Sequence, residues 1–162
     1  MRIKVHKARK SDSKEILKLI NELADFEKLT PPDSNARKRL INDAFGKNPV
    51  FNILLAKEGS KSVGYAFYFF TYSSFLAKKT LYLEDIFVSE TYRKLGVGRM
   101  LMEELIKIAK GHKCGRMEWC VLDWNFNAIR FYENLGAEHL KEWLYYRMSF
   151  DNELTEADND KD

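Results

Sequence analysis

The residues best placed for chemistry lie between Thr80 and Lys110, in the run TLYLEDIFVSETYRKLGVGRMLMEELIKIAK. Two carboxylates, Glu84 and Asp85, stand inside the apolar stretch Leu81 to Val88. Shortly after it comes a basic, glycine-bearing turn, Arg93-Lys94-Leu95-Gly96-Val97-Gly98, followed by Arg99. Glycines 96 and 98 lack a Cβ, so the backbone there can take unusual angles and approach a ligand closely. A helix opening at this turn leaves its first N–H groups unpaired and carries partial positive charge. Arg93, Lys94 and Arg99 add full charges beside it. The pattern suits an anion, and a pyrophosphate fits it. A tight strand-to-helix turn on a basic surface would look the same from this stretch alone. No Gly-Lys-Ser/Thr follows, which excludes a Walker loop, and the third glycine of the dinucleotide fingerprint is missing.

Such a turn needs a strand before it and a helix after it, and the periodicity supplies both. Leu81 to Val88 reads as a strand. The helix that follows has Val97, Leu101, Leu105 and Ile108 at the spacing of one buried face, and Gly111 stops it. Around this centre, Ile3 to Ala8 alternates as a first strand. Asp12, with Glu15 three residues on, can cap a helix that runs to about Lys28 and closes with Asp25-Phe26-Glu27. Thr30-Pro31-Pro32-Asp33 breaks the chain, and Ser34 can cap a second helix ending at Gly46. Val50 to Lys57 and Val63 to Tyr72 read as a hairpin through Glu58-Gly59-Ser60-Lys61. The rings of its second strand, Tyr65, Phe67, Tyr68, Phe69, Phe70 and Tyr72, read mostly as core. Arg116 to Leu122 reads as a strand, Asn125 to Leu135 as a short helix ended by Gly136, and Glu138 to Phe150 as one or two last strands. The order predicts an α/β (α+β) fold, a mixed sheet flanked by helices, in a single domain over residues 1–150. The acidic tail 151–162 is expected to be disordered.

The 162 residues can bury about 70% of the unfolded surface in one core. No apolar run approaches the roughly 20 residues of a bilayer span. The first seven residues alternate charged and apolar side chains without a signal-peptide core. A cytoplasmic location and no membrane partner are therefore expected. Cys114 and Cys120 make no metal pattern and read as buried or half-buried thiols; no metal is expected. The net charge of +3 hides an asymmetry. Residues 151–162 hold six acids and one lysine, a net −5, which leaves +8 on the rest. A basic body suits a polyanionic ligand, and also nucleic acid. With no zinc-finger or RNA-recognition signature, no nucleic-acid partner is expected.

Arg93-x-x-Gly96-x-Gly98, after a strand and opening a helix, resembles the acetyl-coenzyme A signature of GCN5-related N-acetyltransferases. Tyr82-Leu83-Glu84-Asp85, Leu122-Asp123-Trp124-Asn125 and Phe131-Tyr132-Glu133-Asn134-Leu135-Gly136-Ala137 are similar to the diamine acetyltransferases, the spermidine/spermine and thialysine enzymes. The resemblance runs from about Ile3 to Phe150. It implies a mostly antiparallel sheet whose fourth and fifth strands splay apart, with the pantetheine arm of acetyl-coenzyme A in the gap. It also implies that Ile86, Phe87 and Val88 meet the pantetheine through their backbone. Arg93, Lys94, Leu95, Gly96, Val97, Gly98 and Arg99 would then hold the pyrophosphate. Asn125 would contact the cofactor, and it could equally cap its helix.

Acetyl transfer from a thioester to an amine needs a neutral amine, and deprotonating an alkylamine of pKa about 10.4 at pH 7 costs roughly 4–5 kcal/mol. It also needs donors for the oxyanion and a proton for the leaving thiolate. The resemblance gives Glu84 the base role; a strand-face glutamate paired with a cation is the alternative. Asp85, on the opposite face by strand alternation, reads as structural, a partner for an arginine or a dimer mate. The resemblance makes Tyr132 the acid, where a core tyrosine would otherwise be expected. Phe26 and Glu27 match the acceptor loop, with Glu27 holding a distant ammonium or simply lying at a solvated helix end. The run Tyr72-Ser73-Ser74-Phe75 lacks the acid found there in polyamine enzymes. Ala24 to Leu29 and Val121 to Asn125 look closer to the thialysine branch. A small diamine or lysine-like amino acid is favoured over spermine, attacked directly in a ternary complex without an acetyl-enzyme. The family enzymes pair as homodimers. Two other readings remain: a protein lysine or N-terminal acetyltransferase, and a non-catalytic coenzyme A-binding regulatory module.

Overall fold

The computed structural model describes residues 2–150, so the expectation for the tail, 151–162, falls outside the described residues. The elements run β1 (Ile3–Lys7), α1 (Ser13–Glu27), α2 (Ser34–Phe45), β2 (Asn52–Glu58), β3 (Lys61–Ser73), β4 (Lys78–Val88), α3 (Val97–Gly111), β5 (Arg116–Glu118) and α4 (Phe126–Glu133). Two compact units result, one ending at Cys120 and one beginning at Val121. All five strands belong to the first unit, as one sheet in the order β1-β2-β3-β4-β5. Neighbours are antiparallel except β4 and β5, which are parallel. This is the mixed, mostly antiparallel sheet expected from the sequence.

Helices cover both faces of the sheet because the strands are apolar on both. On one face Ile16 and Leu19 of α1 and Ala44 of α2 pack with Ile53, Leu55, Tyr65 and Phe87. On the other, α3 buries Val97, Leu101, Met102, Leu105 and Ala109. Tyr68 belongs to this second face, since burial and the charge of Glu104 on α3 together raise its pKa.

The phase of β4 changes at one residue. Phe67 of β3 pairs with Asp85 and the next residue, Tyr68, pairs with Leu83, so Glu84 has no partner opposite it. This is a β-bulge, one extra residue on one strand. Cross-strand partners share a face. Before the bulge, Leu83 lies opposite Tyr68 on the α3 side. After it, Asp85 and Phe87 lie with Phe67 and Tyr65 on the α1 side.

Several boundaries differ from the sequence reading. Asp12 does not cap α1 through its side chain; it accepts the backbone N–H of Arg9 across a 3₁₀ turn and pairs with Lys57. Asp33, not Ser34, caps α2, accepting from the Ala36 N–H at 2.7 Å. β5 stops at Glu118 rather than Leu122, and residues 138–150 form no strand. A strand exists only as part of a ladder, and the aromatic, alternating run there finds none. Cys114 is half-buried, but Cys120, just past the end of β5, is exposed.

Candidate active site

The parallel ladder between β4 and β5 lasts only from Thr80 to Tyr82. From Leu83 to Val88, β4 keeps its partner β3 on one side. On its other side, no strand of the described residues pairs with it. The ladder ends where β5 itself ends, at Glu118, and Glu84, Ile86, Phe87 and Val88 lie along the stretch of β4 left open on that side. Glu84 is exposed at the bulge, and Phe87 is buried.

The turn after β4 is anchored at both ends. The Ser89 N–H donates to Val63 O of β3 at 2.9 Å, and its Oγ donates to Glu22 Oε2 of α1 at 2.6 Å. Tyr92 is buried and donates to Glu58 Oε2 of β2 at 2.9 Å. Between these anchors and α3 the chain takes two left-handed residues, Lys94 at φ 62° and Gly96 at φ 81°. Gly96 is the N-cap of α3 and gives it no side-chain cap. Its carbonyl accepts from Met100 N at 3.0 Å. Helix geometry leaves the N–H groups of Val97, Gly98 and Arg99 without intrahelical acceptors. An uncapped helix start behind a left-handed glycine, with Lys94 and Arg99 beside it, suits a pyrophosphate. Together with the open edge of β4, these residues fit acetyl-coenzyme A.

Among the described residues Asp85 pairs with no arginine, one of the two partners the sequence suggested. It accepts from Tyr65 Oη at 3.4 Å, and Tyr65 is fully buried on β3. Burial, then the charges of Glu84 and Glu27, push the Asp85 carboxyl up to about 6, against a smaller opposing pull from the Tyr65 hydroxyl. Tyr65 is itself pushed well above its ordinary value, by burial first and then by Asp85. Burial also raises Glu27 at the end of α1. Asp85 on β4 therefore feels the charges of both Glu84 beside it and Glu27 at the end of α1. The sequence reading gave Glu27 a distant ammonium or a solvated helix end, and missed Tyr65 and the weight of Asp85. Burial of a strand carboxylate depends on which helix covers it, and no local pattern signals that.

A stability prediction follows from the sign of this shift. A carboxyl whose pKa is raised on folding takes up protons with the fold, so stability is highest below its ordinary value and is lost as pH rises through about 6. Asp85→Asn keeps an acceptor for Tyr65 and removes the charge. Each pKa unit corresponds to about 1.36 kcal/mol. With partial solvent screening, the variant should gain about 1–2 kcal/mol at pH 7. It should be no more stable than the parent at pH 4. Denaturant unfolding at the two pH values reads this directly.

Asn125 and Tyr132 belong to the second unit. Asn125 is the N-cap of α4, and its Oδ1 accepts from the Ala128 N–H at 3.2 Å. Tyr132 is on the last turn of α4, its ring 5.4 Å from that of Phe131. Glu84 and Tyr132 thus come from different units. Among the described residues, no group of three His, Cys, Asp or Glu side chains could hold a metal ion, and no helix is long and apolar enough to cross a membrane.

Comparison with known proteins agrees with this geometry. The model of the Acetyltransferase (GNAT) family matches residues 15–137. Thialysine N-epsilon-acetyltransferase of Mus musculus is 37% identical over 155 residues, covering 89% of this chain and 91% of that protein. Spermidine/spermine N(1)-acetyltransferase-like protein 1 of Homo sapiens is 36% identical over 90% of this chain, which corresponds to 22% of that longer protein. Among solved structures, an integron cassette protein from the V. cholerae mobile metagenome superposes with a TM-score of 0.79 at 26% identity, covering 93% of this chain and 94% of that one. On its sequence and its fold, the chain belongs to the GNAT acetyltransferase family and is an acetyl-transferring enzyme.

Proposed function

We propose that the enzyme moves acetyl from acetyl-coenzyme A to a primary amine of a small diamine, polyamine or lysine-like amino acid, by direct attack in a ternary complex. The observation that carries the donor half is the uncapped start of α3 behind left-handed Gly96, next to the open edge of β4. Lys94, Leu95, Gly96, Val97, Gly98 and Arg99 would hold the pyrophosphate. The backbone of Ile86, Phe87 and Val88 would take the pantetheine as an added strand, and Asn125 would contribute a polar contact. Acetyl-coenzyme A supplies the activated acetyl group when bound. Glu84 takes the proton of the acceptor ammonium, directly or through water, and Tyr132 gives a proton to the departing sulfur.

The acceptor half rests on the carboxylates and on the relatives. Glu84 and Glu27 both lie close enough to Asp85 for their charges to act on it. A substrate with a second cationic nitrogen would lower the cost of keeping those charges together. Thialysine, named for the murine relative, is such a diamino compound. As the resemblance implies, the enzyme would act as a homodimer.

Thiol release from acetyl-coenzyme A tests this against spermidine, spermine, putrescine, lysine, thialysine, ornithine and a lysine-bearing peptide. The expected result is turnover of one small amine with kcat/KM at least about tenfold above the peptide, a difference of about 1.4 kcal/mol in transition-state binding. Release with the peptide alone would overturn the acceptor class. Release with none of the panel would do so too.

A further inference from the structure

Arg93 opens the Arg-x-x-Gly-x-Gly run, where a free positive charge would serve a phosphate. Its side chain is engaged elsewhere. Nε donates to the carbonyl of Val88, the last residue of β4, at 3.0 Å. The guanidinium carbon lies 4.7 Å from the ring centre of Phe26 and 5.5 Å from that of Phe87. Phe26 is on the last turn of α1, one residue before Glu27, and Phe87 is on β4 two residues after Asp85. One side chain therefore joins the end of the helix that carries Glu27 to the strand that carries Glu84 and Asp85.

The chain around Phe26 shows why a brace is useful there. α1 ends at Glu27, and Lys28 turns back in a left-handed conformation at φ 58°, away from the usual range of a side-chain-bearing residue. Phe26 is 37% exposed. A guanidinium suits the task, since it is planar, stacks on ring faces and still offers Nε to a carbonyl in its own plane. An ammonium supplies the charge without the plane.

We propose that Arg93 is a positioning residue for the amine acceptor: its guanidinium braces Phe26, and through it Glu27, against the end of β4, and it does not serve as a phosphate ligand. The pyrophosphate is left to Lys94, Arg99 and the first N–H groups of α3. The inference rests on the acceptor reading above, because it gives Glu27 a substrate to face.

Arg93→Lys separates the two roles, since it keeps the charge and loses the stack and the Nε contact. With the best amine of the panel, its KM should rise about five- to tenfold while kcat stays within about twofold, the size of a partly desolvated cation–ring contact. The Kd of coenzyme A, by titration calorimetry, should stay within about twofold. Phe26→Leu, which keeps bulk without a ring face, should raise the amine KM similarly. The double variant should be no worse than the poorer single one, because both changes break one interaction. A weakening of coenzyme A binding by about fivefold or more in Arg93→Lys would overturn the proposal, as would additive effects in the double variant. If Arg93→Lys does not fold, an unchanged amine KM in Phe26→Leu overturns it and a raised KM supports it. If the parent enzyme turns over no amine of the panel, the acceptor reading has failed by itself. The coenzyme A titration of Arg93→Lys then decides: unchanged affinity supports the brace over the phosphate role, and weakened affinity overturns it.

Discussion

Glu84→Gln should lower kcat by about two to three orders of magnitude, within the range for a positioned general base. Affinity for coenzyme A should not change. Glutamine keeps the length and polarity of the side chain and removes its ability to hold a proton. The residue is exposed and unpaired in the β4 bulge, so little folding energy rides on it. The parent and the variant should melt within a degree or two of each other, because a surface change of this kind is worth about 0.5 kcal/mol or less. The check is steady-state kinetics with saturating acetyl-coenzyme A, together with a calorimetric titration of coenzyme A. A variant that retains more than about a third of the parent kcat would remove Glu84 from the proton path and turn attention to Asp85, the neighbouring carboxyl with the raised pKa.

Tyr132→Phe is expected to lower kcat by about 100-fold, with the KM values for both substrates little changed. The substitution removes one hydroxyl and keeps the ring that packs beside Phe131 on α4. A group that gives its proton to the departing sulfur acts at the transition state alone, so its loss belongs in kcat. If the loss instead appeared as a raised KM with kcat intact, Tyr132 would be a binding or packing residue.

Much of the fold is legible in the chain because its signals are local. Of the α3 stripe, Val97, Leu101 and Leu105 are buried as the spacing predicts and Ile108, near the helix end, is half-buried. The left-handed Gly96 falls where a glycine precedes a helix. Asn125 caps α4, one of the two roles open to it. The features that escape are those set by distant partners. Leu81 to Val88 reads as a regular strand, and nothing in its letters marks Glu84 as the extra residue; the bulge exists only relative to β3. Strand alternation leaves Asp85 an ordinary structural carboxylate, whereas in the fold it is half-buried, bonded to Tyr65 from twenty positions earlier and coupled to Glu27 of α1. Arg93 looks like phosphate charge until Phe26 is brought over it from sixty-seven positions away. The last residues of the strand expected from Arg116 to Leu122, and the strands expected within 138–150, have no ladder to join.

The bulge at Glu84 also separates architecture from chemistry. Leu83 and Asp85 already lie on opposite faces of the sheet, as adjacent residues of a regular strand would. A chain lacking residue 84 altogether would therefore keep every side chain before and after it in its present layer, with an unbroken ladder against β3. The residue most dispensable for the sheet is thus the one proposed to take the proton, so the sheet's layering places no demand on the identity of its side chain.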